Sequence, residues 1–69
     1  MADSSELPKI IITDRATHRL LAGHVWVYAS DVLSEAGAAP GALVHVVNRK
    51  GKLQGSAIYS SASQIKLRM

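Results

Sequence analysis

The sequence predicts a small, mainly β domain with one or two short helices, its strands wrapped into a barrel-like sheet. Two observations carry that prediction. Short β-branched and aromatic runs recur between turn-forming residues, and one stretch has helical spacing with a cap at each end. At 69 residues the chain has room for one domain, and a hydrophobic content of 48% suits a folded one. A domain of this size buries only about 60% of its unfolded surface, which leaves little for a deep active-site cavity.

Residues 1–7 read as a flexible leader, acidic and polar, and residues 8–69 as the domain. The leader resembles neither a signal nor a transit peptide, and no apolar run approaches the roughly 20 residues of a membrane span, so a cytoplasmic protein is expected. Pro8-Lys9-Ile10-Ile11-Ile12 reads as a first strand, with Pro8 at its permitted start. Thr13 offers an N-cap hydroxyl, Asp14 suits the first turn, and Gly23 is placed to end a helix running from Asp14 to about Ala22. On that helix Ala16, Thr17, Leu20 and Leu21 share one side, and Arg15, His18 and Arg19 the other.

Val25 to Tyr28 reads as a second strand, with Trp26 as the centre of the core, while Tyr28 and Tyr59 fit either core or site. Ala29 to Pro40 is a connection with a helical turn near Asp31. Ala42 to Val47 is apolar on both faces, as an enclosed strand would be. Asn48 to Gly51 is a hairpin turn, and Leu53 to Tyr59 is the return strand, where Gly55 marks a bulge or a close approach of backbone. Ile65-Lys66-Leu67-Arg68-Met69 alternates apolar and basic residues as a half-buried strand does. It reads as a free, pairing-competent edge, from which a homodimer through this strand and a longer parent chain are both expected.

Eight Lys and Arg oppose five Asp and Glu, a net charge of +3. From Arg15 onward only Asp31 and Glu35 oppose seven basic residues, which favours an anionic partner, with nucleic acid foremost. Arg15 and Arg19 stand i, i+4 with no acid at i±3 or i±4, a repulsive spacing that suits two guanidiniums meant for phosphate. Lys66 and Arg68 repeat the theme on the last strand, whereas Arg49, Lys50 and Lys52 read as an ordinary solvated turn. The chain has no cysteine, its histidines lack metal-ligand spacing, and no residues form a nucleophile, a carboxylate pair or a phosphate loop. No catalytic residue, metal or cofactor is assigned to this chain.

Several segments together resemble a known family. A basic helix, Arg15 to Leu21, leads into His24-Val25-Trp26-Val27-Tyr28. Pro40-Gly41 opens an apolar strand, Gly51-Lys52-Leu53-Gln54-Gly55 forms a hairpin, and Tyr59-Ser60-x-x-Ser63-Gln64-Ile65-x-x-Arg68 closes the pattern. In this order they resemble the N-terminal PUA domain of bacterial S-adenosylmethionine-dependent 23S rRNA cytosine-C5 methyltransferases. The likeness runs from about Leu7 to Met69. It departs at Val25, where the family has a proline that would stiffen the corner.

The resemblance implies a PUA-like pseudo-barrel that binds RNA, ribosomal in that family, and a separate catalytic domain holding S-adenosylmethionine and a cysteine nucleophile. It implies RNA contacts at Arg15, His18, Arg19 and His24, and at Tyr59, Ser60, Ser63, Gln64 and Lys66, beside the Arg68 already noted. The function expected is an RNA-binding module that anchors ribosomal RNA for a tethered methyltransferase domain. The alternative is a docking domain that supports that catalytic domain, or mediates dimerisation, without touching RNA.

Overall fold

In a computed structural model, residues 7–35, 37–61 and 64–69 are described. Six strands form one sheet that curls into a half-barrel: β1 (Lys9–Ile12), β2 (Trp26–Tyr28), β3 (Val32–Ser34), β4 (Leu43–Val47), β5 (Leu53–Tyr59) and β6 (Ile65–Arg68). Their order is β2-β6-β5-β4-β1-β3. All neighbours are antiparallel except β1 and β4, which are parallel and need the long crossover that the intervening segment supplies. That crossover carries α1 (Asp14–Leu21), β2, a single 3₁₀ turn at Ala29–Asp31 and β3.

The helix begins and ends where its capping residues dictate. Thr13 is extended, and its Oγ1 accepts from the Ala16 N–H at 3.1 Å. At the other end Gly23 takes φ +104°, which only glycine adopts without strain. The Gly23 N–H donates to the Leu20 carbonyl and the His24 N–H to that of Arg19, the paired bonds of a Schellman cap. This cap fixes the corner that a proline at position 25 would otherwise stiffen, and the Val25 carbonyl is tied further by the Met69 N–H at 2.8 Å.

Alternation along the strands builds the core. Ile10, Ile12, Val27, Val44, Val46, Ala57, Tyr59 and Leu67 point inward and are buried, with Ala16 of α1 packed among them. Gly55 sits opposite Val46 at a register shift, so the expected bulge is present, and what a Cβ there would meet, at 2.9 Å, is the tip of the Met69 side chain and not backbone.

Four expectations are corrected. Trp26 is not the centre of the core: on a three-residue strand the inward position goes to Val27, and Trp26 stays 42% exposed. Leu21, the last residue of α1, is exposed rather than packed. The Ala29–Pro40 connection contains a strand, β3, defined by its antiparallel pairing to β1. The last strand is not an edge, because β6 lies between β2 and β5 and the edges are β2 and β3. A dimer through a free β6 edge therefore loses its premise.

Leu67 is fully buried where β2, β6 and β5 meet. Leu67→Ala is expected to cost about 3 kcal/mol, a large share of what a domain this small can hold, and urea denaturation measures it as a lowered midpoint.

Candidate nucleic-acid interface

The site is organised around a carboxylate that local sequence spacing does not reveal. Asp31 closes the 3₁₀ turn and is 1% exposed. Its Oδ1 accepts from Arg15 through Nη2 at 2.9 Å and Nε at 3.3 Å, and from the Thr13 hydroxyl at 3.1 Å. Its Oδ2 forms a looser ion pair with Arg19 Nη1 at 3.7 Å. The two arginines thus do have an acidic partner, reached through the fold instead of along the helix. The i, i+4 repulsion between them is offset by one shared counter-charge. Both keep much of their side chain in solvent, so each can also meet an external anion.

Burial alone would raise the Asp31 pKa. The Arg15 and Thr13 hydrogen bonds and the charges of Arg15 and Arg19 outweigh it, and the carboxyl lies below its ordinary 3.8. Asp31 is therefore ionised at neutral pH and fixes the direction in which the arginines leave the helix.

Beside this pair, a cleft of about 270 Å³ opens between α1 and β2. Ala16, Val27 and Asp31 line its inner side, with Arg19, His24, Trp26 and Tyr28 around them. The His24 and Trp26 rings meet edge to face, with centroids 6.4 Å apart. A second depression, of about 290 Å³, shares Tyr28 and adds Ala29, Ser30 and Gln64. The Ala29 N–H donates to the Gln64 carbonyl at 2.7 Å, which holds this wall together.

The expected residues divide accordingly. Arg15, Arg19, His24 and Gln64 gather along this surface, and His18 is exposed on α1. Lys66 and Arg68 lie on β6, directly across β2 from the cleft; Lys66 donates its Nζ to the Ser61 carbonyl at 2.8 Å, and Arg68 pairs in register with Trp26. The basic residues of α1 and β6 therefore flank an aromatic strand without forming one contiguous stripe. Tyr59, which fits either core or site, is buried and its hydroxyl donates to Glu35, so it supports the core. Ser60 contributes its backbone N–H to the Lys66 carbonyl. Ser63 lies outside the described residues. Arg49 pairs with Asp14 at 3.4 Å on the exposed surface, a contact of little energetic weight.

Sequence reasoning misses Trp26 and Asp31 as site residues and leaves Tyr28 between core and site. The signal for the two aromatics was present, since strict alternation about Val27 puts both on the face away from the core.

Two outcomes check this arrangement. Because the folded pKa of Asp31 is depressed, its contribution to stability is complete above about pH 4 and fades as pH falls through the lower folded value. Urea midpoints measured from pH 6 to pH 3 should drop less steeply for Asp31→Asn, which at neutral pH is expected to be ~2 kcal/mol less stable. Trp26, the only tryptophan, should be readily quenched by iodide in the folded protein; protection from iodide would return it to the core.

No curated protein matches the chain. A family model does: that of the PUA-like domain, over residues 10–69, which takes in α1, every strand beyond Lys9 and the whole of the cleft. Curled six-stranded half-barrel, capped basic helix and matching sequence thus agree, and the chain belongs to the PUA-like domain family.

Proposed function

We propose that this domain is an RNA anchor that presents ribosomal RNA to a tethered S-adenosylmethionine-dependent methyltransferase domain in the cytoplasm. PUA-like domains are commonly associated with RNA binding. The observation that carries the reading is the cleft between α1 and β2, where Arg19 stands with the exposed Trp26 and Tyr28 rings and Arg15 shares its Asp31 counter-charge. Guanidiniums match phosphate oxygens, and Trp26 and Tyr28 offer faces on which an unstacked base can rest. The ribosomal target and the methyltransferase partner rest on the sequence resemblance, above all on His24-x-Trp26-Val27 and Tyr59-Ser60-x-x-Ser63-Gln64-Ile65.

In this mechanism the chain performs no bond-making step. Arg15 and Arg19 hold phosphates while Asp31 keeps their forks from collapsing toward other surfaces. The aromatic strand limits how the RNA turns, and Lys66 and Arg68 extend the positive field beyond β2. Such contacts position RNA and leave base choice to the catalytic domain, where S-adenosylmethionine would be held and methyl transfer would occur.

Fluorescence anisotropy with a ribosomal RNA hairpin tests the proposal. With about four phosphate contacts, log K against log salt should have a slope of about −3. Arg15→Gln with Arg19→Gln should reduce that slope by about 1.4 and weaken binding at low salt. Glutamine avoids placing a new carboxylate against Asp31, and circular dichroism verifies that the variant is folded. No binding at low salt, or a flat salt dependence, would overturn the anchor.

A further inference from the structure

Residues paired directly across neighbouring strands project to the same face of a sheet. Trp26 pairs with Arg68, Arg68 with Ile58, and Ile58 with Leu43, so these four make one row across β2, β6, β5 and β4. At ~4.8 Å per strand the row is about 15 Å long. Its sequence neighbours Val27, Leu67, Ala57 and Val44 are all buried on the opposite face. The row is therefore the outer one, which is ordinarily polar when one side of an antiparallel sheet meets water. Here three of the four side chains are large and apolar: Trp26 is 42% exposed, Ile58 46% and Leu43 47%. The fourth is a cation.

We infer that this outer row docks a protein surface on which aliphatic side chains surround a carboxylate. Charge argues for the carboxylate. The described acids are engaged elsewhere: Asp14 with Arg49, Asp31 with Arg15 and Arg19, and Glu35 with the Tyr59 hydroxyl. Arg68 therefore leaves the row positive. Shape and size argue for the rest. Ile58 and Leu43 offer neither a ring to stack on nor a group to bond a base, which disfavours RNA at that end of the row. A second copy of the chain would bring like charge toward like charge. The exposed apolar area, on the order of 300 Å², also falls well short of the roughly 800 Å² per partner of a stable dimer. The partner is thus a different protein surface, held in place by more than this row alone.

The test is a ¹H–¹⁵N NMR titration of the full chain with a synthetic amphipathic peptide carrying leucines and one glutamate on a single face. Expected are shifts centred on Trp26, Arg68, Ile58 and Leu43. Arg68→Glu should weaken the peptide by about tenfold or more, and a peptide with lysine for glutamate should recover binding to that variant. Ile58→Ser with Leu43→Ser should lose the peptide yet bind the RNA hairpin as before, which separates this surface from the RNA cleft. No shifts along the row, shifts that grow with protein concentration in the absence of peptide, or shifts at Ile58 and Leu43 with the RNA hairpin would each overturn the inference.

Discussion

One buried carboxylate joins the two corners on which the rest of the domain depends. Asp31 takes the Thr13 hydroxyl on its side chain and the Thr13 N–H on its carbonyl at 2.9 Å, so the turn after β2 is bolted to the junction of β1 and α1. Thr13 in turn caps the helix and accepts both the N–H and the hydroxyl of Thr17 at its carbonyl. A buried charge is costly unless fully partnered. Here its partners are the same arginines that the surface displays. Fold and electrostatic surface are consequently one arrangement: the contact that locates the crossover also aims the guanidiniums.

The sheet divides its two sides of labour through a period of two. Every inward residue of the central strands is aliphatic apart from Tyr59, and the outward positions carry what can meet other molecules. β2 belongs to both domains of activity. Its Val27 closes the core, its Trp26 and Tyr28 line the cleft, and Trp26 also heads the outer row. An edge strand of three residues has little backbone to offer an intruding strand, which limits unwanted pairing while leaving its side chains accessible.

Local signals made much of this legible beforehand. Thr13, Gly23, the hairpin at Asn48–Gly51 and the extent of β5 were read from residue types whose preferences act within a few positions. What escaped depends on contacts distant in sequence. Val32–Ser34 has no strand pattern of its own and becomes β3 only by pairing with β1. The counter-charge for Arg15 and Arg19 lies beyond the reach of any helical spacing rule. The size of Trp26 favours an inward place, whereas the pleat allots that place to its smaller neighbour Val27. For the candidate site, the basic helix and His24 were recognisable, but the cleft itself arises from bringing α1 beside β2.

The position of β6 between β2 and β5 has a consequence for the order of assembly. β2 meets no strand other than β6, which is made long after it. During synthesis β1, α1, β3, β4 and β5 can find one another while the aromatic strand still waits, tethered by the helix cap and the Asp31 turn. Non-local pairing of this kind is the slow part of folding. The wall of the α1–β2 cleft is then among the last parts to form, so the cleft takes shape only once the sheet is complete.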